Sequence, residues 1–519
     1  MKITRREAIK ILGIGASSLT AAPPISYGAQ SSELPNIVLI LADDMGYGDL
    51  ACQNPASKIP TPHLDRLAQD GIRFNDAHSP SAVCTPTRYG LLTGRYCWRT
   101  RLKESVLWCW DSPLIESNRL TVGSMLKSRG YDTACIGKWH LGMDWPTKDD
   151  GPPLGMGETN NPESGTNVDF TKPIANGPTT RGFDYYYGTA VPNFPPYCFI
   201  ENEHTVGIPT TMKPDSMFGC PGPMLDGWKL EAILPGLMNK AVGYIDARGG
   251  RSQNRNFRQT QDKPFFLYMP LTAPHTPIAP TDEFTGKSRA GAYGDFVHQV
   301  DHIVGEVLKA LDRNGFGDDT LVIFTSDNGS PCRNGVDMNG PLNSVLDYGH
   351  NPSHIYSGIK SDIWDGGHRV PFIARWNGCI QPNTVSVETV CLVDFMATCA
   401  AIVGKKLPED AGEDSYNILP ALTGQKTERP IREATVHHSF DGMFAIRKGK
   451  WKLILGRGSG GWSSTGKETD PPKQLYDMVK DPSEQYNMYN ERPDIVENLS
   501  TLLKKYQSEG RSAPVISNM

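Results

Sequence analysis

Four short stretches of this chain carry side chains able to do chemistry. Asp43-Asp44 follows the apolar run 35–41, and Asp327-Asn328 follows the run 318–326. Lys138-Trp139-His140 follows 131–137, and Ala273-Pro274-His275 follows 263–271. The two acidic pairs offer only oxygen ligands, which suits a hard cation such as Ca²⁺ or Mg²⁺. Adjacent acids also cap helices and occupy turns, so Asp43-Asp44 alone is ambiguous. Its recurrence at a second strand end favours the metal. Lys138 and His140 stand two apart and, if extended, point to the same side. A lysine beside a histidine makes an anion clamp with a proton-transfer group. A single histidine is more often an ordinary core or surface residue, so His140 and His275 gain meaning only if the fold brings them together.

The stretch SAVCTPTRYGLLTGRY, residues 81–96, adds a cysteine. Pro86 suits the first turn of a helix, so Cys84 is expected at a helix N-terminus, where the helix dipole favours anions. Arg88 lies one turn on and can reach back. Such a positive setting predicts a lowered thiol pKa and an attraction for an anionic substrate. A packed thiol, a disulfide partner and a nucleophile all remain open for Cys84 on these grounds.

These residues need elements to position them. The apolar runs at 35–41, 131–137, 263–271 and 318–326 are too short for helices and read as buried strands. Between them lie helical patterns at 61–71 (Thr61 as cap, Pro62 in the first turn, Gly71 as stop), at 119–130, and at 293–313 with a long apolar stripe. Strands alternating with helices predict a large, mostly parallel sheet sandwiched by helices. In such sheets ligands collect beyond the carboxyl ends of the strands, where the candidate residues lie. After about residue 420 short strand patterns follow at 434–440, 443–449, 450–456 and 474–479, then a helix at 494–506. They predict a small α+β subdomain with an antiparallel sheet. The stretches 144–181, 202–228 and 330–357 read as long loops, and 246–258 as a solvated basic insertion.

The chain has 519 residues, with 38% hydrophobic and 21% charged, as in a soluble globular protein. Its formal net charge of −5 argues against a nucleic-acid binder. Residues 1–30 have a charged start with Arg5-Arg6, a short apolar centre and small residues after it. This resembles a twin-arginine export signal and places the mature protein in the periplasm or outside the cell. No later stretch reads as a membrane span. Eleven cysteines show neither a CxxC nor a zinc pattern, and the odd count leaves at least one outside any intramolecular disulfide.

CTPTR followed by LLTGR (84–88, 91–95) resembles the signature of the formylglycine-dependent sulfatases, a branch of the alkaline phosphatase superfamily. The resemblance extends to LADDMGYGDL (41–50), GKWHLG (137–142), RGFDYYYG (181–188), APHTP (273–277), TSDNGS (325–330), KSDIWDGGHRVP (360–371) and LYDMVKDPSEQYN (475–487). It implies an alkaline phosphatase-like catalytic domain at 33–418 and a C-terminal subdomain at 419–519. It also implies that Cys84 is oxidised by a formylglycine-generating enzyme to 3-oxoalanine, so the thiol is a precursor whose hydrated aldehyde is the nucleophile. Asp43, Asp44, Asp327, Asn328 and the modified Cys84 are implied ligands of one Ca²⁺, with Mg²⁺ the lesser candidate. Arg88, Lys138, His140, His275 and Lys360 are implied to line the sulfate site, with His275 and Lys360 as acid candidates and His140 as base. The implied activity is hydrolysis of a sulfate ester on a carbohydrate, with N-acetylgalactosamine-6-sulfate and sulfated galactose as candidates. A phosphatase or phosphodiesterase of the same superfamily and an inactive glycan-binding protein are the alternatives. Thr87 stands where the family more often has Ser, and Asp365, before Gly366-Gly367-His368, where it often has Glu. A polar contact that many members supply after the Lys-x-His strand has no clear counterpart. Tyr185, Tyr186, Tyr187 and Trp145 are candidates for sugar stacking or for the core.

Overall fold

The structure is a computed structural model that describes residues 34–249 and 263–515. The expected export signal at 1–30 and most of the basic insertion lie outside the described residues. Ten strands build the large sheet: β1 (Asn36–Asp43), β2 (Ile72–Phe74), β3 (Asp132–Lys138), β4 (Tyr185–Thr189), β5 (Ile200–Glu201), β6 (His204–Thr205), β7 (Phe265–Pro274), β8 (Thr320–Ser326), β9 (Phe372–Arg375) and β10 (Thr384–Ser386). Their order across the sheet is β10-β2-β9-β8-β1-β7-β3-β4-β5-β6. The central strands β8, β1, β7, β3 and β4 run parallel. Strand β9 is antiparallel to both its neighbours, as are β5 and β6 at the other edge.

Strand β1 is buried along its whole length, and its side chains alternate between two cores. Ile37, Leu39 and Leu41 pack with Leu91 and Leu92 of α2 (Cys84–Thr93), Met125 and Leu126 of α3 (Val122–Lys127) and Met396 of the helix Phe395–Ile402. Val38, Ile40 and Ala42 face Leu64 and Leu67 of α1 (Pro62–Gln69), Leu237 of α4 (Ile233–Arg248), and Val300 and Val304 of α5 (Gly291–Arg313). A strand apolar on both faces can sit only at the centre of such a sandwich, which is why 35–41 reads as a continuous apolar run. Each fully buried Leu, Ile or Val contributes about 1.5–3 kcal/mol.

A second sheet of four antiparallel strands, β11 (Thr435–His438), β12 (Phe444–Lys448), β13 (Trp451–Ile454) and β14 (Gln474–Asp477), follows in chain order. The helix Pro493–Ser508 covers it through Val496, Leu499 and Leu503, and Tyr96 and Trp98 join the same core from just beyond α2. Asp365 and Arg369 anchor this sheet from the other side. The Asp365 carboxylate accepts from Arg369 at 2.7 Å and from Lys452 of β13 at 2.8 Å, and Lys452 also meets Glu484 at 2.7 Å. His368 is buried in the same network, its Nε2 3.1 Å from Lys452 Nζ. The two departures near Gly366-Gly367 thus belong to packing.

Candidate active site

Parallel strands bring their carboxyl ends to one level. Asp43 pairs in register with Pro274, Ala42 with Ser326, and Lys138 with Thr189. Consecutive residues of an extended strand point to opposite faces, yet Asp43 and Asp44 serve one site. The backbone leaves the extended region at Asp44, whose φ is +67°, a left-handed conformation that non-glycine residues seldom adopt outside functional turns. His140 does the same after β3, with φ +52°.

Helix α2 begins at Cys84 and is buried throughout. Gly94 ends it at φ +66°, where an added Cβ would lie 2.8 Å from Met396 Cβ. Arg88, one turn after Cys84, points into the floor. Its Nε and Nη2 donate to Asp327 Oδ2 at 3.0 and 2.8 Å, and its Nη1 donates to the Lys138 carbonyl at 2.9 Å. Lys138 donates to Asp43 Oδ2 at 2.6 Å. Lys360 Nζ lies 2.8 and 2.7 Å from the two oxygens of Asp44. The Asp44 N–H donates to Asp327 Oδ1 at 3.2 Å, and Asn328 Nδ2 donates to Asp44 Oδ1 at 2.7 Å.

The floor therefore sets three buried cations, Arg88, Lys138 and Lys360, against three buried carboxylates, Asp43, Asp44 and Asp327. Burial alone would raise the Asp43 carboxyl, but Lys138 and Arg88 outweigh it and hold the group well below the usual carboxylate range. Burial and the Asp43 charge push Asp327 above the usual carboxylate range, against the pull of Arg88. Burial opposes the charge on Lys360, yet Asp44 keeps it protonated above the ordinary lysine range.

The two histidines hold opposite tautomers. A carbonyl only accepts, so His140 Nε2 carries the proton that it donates to the Leu107 carbonyl at 2.9 Å. Its Nδ1 is then an unprotonated acceptor, buried and without a hydrogen-bond partner among the described residues. Burial, with Lys138 nearby, holds this imidazole well below the ordinary histidine range. His275 Nδ1 donates to the Thr276 carbonyl, leaving Nε2 3.8 Å from Asp44 Oδ2. Burial and Lys360 bring His275 down to about 4. The Cys84 thiol is pushed up, contrary to the expectation of a lowered pKa, because burial outweighs the pull of Lys138 and Lys360. A helix N-terminus and nearby cations do not outweigh the desolvation of so deeply buried a thiol.

Two buried acceptors, Asp43 Oδ1 and Asn328 Oδ1, have no hydrogen-bond partner among the described residues. Ligand atoms of Asp43, Asp44 and His275 lie within 4.8 Å of one another. Orphaned oxygens beside clustered carboxylates fit a hard cation. Hydrogen bonds join Asp43, Asp44, Asp327, Asn328, Arg88, Lys138 and Lys360 from strand ends and loops far apart in the chain, and Cys84, His140 and His275 adjoin Asp44 and Lys360.

A cavity of about 180 Å³ opens above the floor. Asp44, Cys84, His140, His275 and Lys360 line it, together with residues the motif reading did not single out: Trp108, Asn193, Phe194, Arg333, Phe440 and Trp462. Ser361 links several of these. Its N–H donates to the Ala82 carbonyl, its carbonyl accepts from Phe440 N at 2.9 Å, and its Oγ accepts from Trp462 N at 2.9 Å. Tyr185, Tyr186, Tyr187 and Trp145 are buried in the cores and do not line the cavity. They were legible as aromatic strand and loop residues, but Phe440 and Trp462 carry no signal until the small sheet is folded against the site.

The model of the Sulfatase family matches residues 35–405. The chain belongs to the sulfatase family. It is accordingly a sulfuric ester hydrolase, which removes the phosphatase reading, and family membership implies in general terms a metal and a formylglycine. The chain is 34% identical to an N-acetylgalactosamine-6-O-sulfatase of Bacteroides thetaiotaomicron, over 92% of this chain and 94% of that protein. It is 31% identical to human arylsulfatase A, over 89% of this chain and 85% of that protein. A solved structure from work on the metabolism of multiple glycosaminoglycans by Bacteroides thetaiotaomicron superposes with a TM-score of 0.77 at 33% identity, covering 92% of this sulfatase and 100% of that chain. No helix among the described residues is long and apolar enough to cross a membrane.

Proposed function

We propose that this sulfatase removes sulfate from a sulfated carbohydrate, with a 6-sulfated N-acetylgalactosamine unit as the leading candidate. The observation that carries this reading is the cavity: a cationic, metal-fitting floor at Cys84 beneath walls of Trp108, Phe194, Phe440 and Trp462. Aromatic walls suit sugar rings, and the names of the similar proteins above agree. At about 180 Å³ the cavity is small beside the roughly 300–1,000 Å³ of drug-sized sites. A terminal sugar fits such a space better than the middle of a polymer.

Cys84 is converted by a formylglycine-generating enzyme to 3-oxoalanine, and the converted side chain supplies the oxygen nucleophile. Asp43, Asp44, Asp327 and Asn328 would hold one Ca²⁺ together with residue 84. When bound, the ion supplies positive charge to the nucleophile and the sulfuryl oxygens. Arg88, Lys138 and Lys360 are prepaid cations whose orientation is fixed by carboxylates before substrate arrives, so they stabilise charge with little reorganisation. His140 accepts a proton at Nδ1, the atom its tautomer leaves free. Lys360, held protonated, and His275 flank the leaving oxygen as proton donors. His275 starts neutral and takes on this role only when an anionic group sits beside it. The protein acts outside the cytoplasm after export through residues 1–30, and its catalytic and C-terminal portions meet near residues 418 and 419.

The test is sulfate release, followed by ion chromatography, from defined sulfated mono- and disaccharides. Release from 6-sulfated N-acetylgalactosamine supports the reading. Release only from aryl sulfates, with every carbohydrate inert, contradicts it.

A further inference from the structure

The three cations of the floor each have a carboxylate partner. Arg333 does not. It lines the same cavity from the loop after Asp327-Asn328. Its one hydrogen bond to protein is from Nη1 to the Gly340 carbonyl, and it forms no ion pair among the described residues. Its Nε and Nη2 are not sealed in the interior, so they are free to meet a ligand. The loop is pinned on both sides. Asn334 N donates to Ser344 Oγ at 3.0 Å, Tyr293 N donates to the Asn334 carbonyl at 3.3 Å, and Lys360 N donates to the Ser330 carbonyl at 2.9 Å. Arg333 is therefore a partly buried guanidinium held on a cavity wall with its fork open.

A half-desolvated charge without a partner is costly unless a ligand completes it. A guanidinium completes best with a planar or tetrahedral oxyanion, which it grips by two parallel hydrogen bonds. The reacting sulfate has its own cations at the floor. The group Arg333 binds from the cavity wall therefore belongs to the sugar in the cavity or to its neighbour. Asn193, whose Oδ1 is buried without a hydrogen-bond partner among the described residues, and Trp462, 39% exposed with its ring 6.0 Å from Lys360 Nζ, complete the same cavity.

Resting on the carbohydrate reading above, we infer that Arg333 forms a second anion subsite, which selects sulfated sugars carrying a further oxyanion: the carboxylate of an adjoining uronic acid or a second sulfate. Arg333 is thus a specificity residue and takes no part in breaking the S–O bond.

The experiment compares wild type, Arg333→Gln and Arg333→Lys on four probes: p-nitrophenyl sulfate, 6-sulfated N-acetylgalactosamine, the same sugar with a second sulfate, and its disaccharide with a uronic acid. Arg333→Gln is expected to lower kcat/KM about 10- to 100-fold, mainly through KM, for the probes with a second oxyanion. The two singly charged probes stay within about twofold, and Arg333→Lys recovers part of the loss. Loss on the uronic acid probe alone, or on the disulfated sugar alone, identifies which oxyanion is read. An equal fall on all four probes, or no fall on any, overturns the inference. Calorimetric binding of the same sugars to full-length, metal-loaded Cys84→Ala protein, with and without Arg333→Gln, tests the subsite without turnover. Equal affinities there overturn it too. Absence of turnover on every sugar, by contrast, would count against the carbohydrate reading and leave this binding comparison to decide the subsite.

Discussion

Two nitrogens of Arg88, Nε and Nη2, donate to a single oxygen of Asp327, at 3.0 and 2.8 Å. The third, Nη1, holds the Lys138 carbonyl at 2.9 Å, so one side chain ties α2 to the ends of β8 and β3. The pair is fully buried, and removing one member leaves the other charge without compensation. Arg88→Gln is expected to lower unfolding stability by about 3–5 kcal/mol, read from urea denaturation, as well as turnover by at least about 100-fold. Unfolding stability unchanged within about 1 kcal/mol would contradict the buried pairing of Arg88 with Asp327.

Removing the metal provides a separate check. The orphaned oxygens of Asp43 and Asn328 predict that a calcium chelator lowers the Tm and that Ca²⁺ at about 100 times its Kd restores about 2.7 kcal/mol. Asp43→Asn should abolish the Ca²⁺-dependent rise. A Tm indifferent to both chelator and Ca²⁺ would argue that the acids serve only the buried lysines and arginine.

Thr87 replaces a commoner serine, and the structure gives its hydroxyl a task. Thr87 Oγ1 donates to the Ser81 carbonyl at 3.0 Å, both groups being buried. Thr87→Ser keeps that bond and should leave stability within about 0.5 kcal/mol, whereas Thr87→Ala leaves the Ser81 carbonyl with Ser79 Oγ as its remaining donor and should cost about 0.5–1.5 kcal/mol more. Equal Tm values for the two variants would show that the methyl group, and not the hydroxyl, matters.

His438, on β11 of the small sheet, gives a pH dependence with a definite sign. Burial, with Lys103 nearby, brings its pKa down from 6.5 to about 4. A depressed folded-state value means that the unfolded chain binds the proton first. The stability tied to neutral His438 is therefore complete above pH 6.5 and drains away as pH falls toward 4. The full difference is about 3 kcal/mol. His438→Gln should flatten this part of the stability profile between pH 7.5 and 4.5, and a profile of unchanged slope would refute the assignment.

The sequence made the central strands plain, because β1 is apolar on both faces and its end residues are acids. It also placed Asp43, Asp44, Asp327 and Lys138, which end or follow strands, and Arg88, one turn into a helix, whereas Lys360 lies in a loop and is reached only through the family resemblance. Three things were not legible. The Cys84 thiol reads as activated from its helix and neighbours, but its pKa is governed by burial, which no local pattern reveals. Tyr185, Tyr186 and Tyr187 read equally well as sugar platforms and as core, and β4 buries Tyr186 in the core on one face of the sheet and Tyr185 and Tyr187 in the core on the other. Phe440, Trp462 and Arg333 reach the cavity only through long-range folding, through Ser361 for the first two and through the pinned loop after Asn328 for the third.

The measurement closest to the central claim is a titration of turnover against conversion at residue 84. Preparations made with graded amounts of the maturation enzyme are assayed for sulfate release, and the aldehyde fraction of the Cys84 peptide is measured by mass spectrometry. Turnover should rise in proportion to the aldehyde and extrapolate to zero with none present. Undiminished turnover from protein whose residue 84 is entirely cysteine would contradict the account.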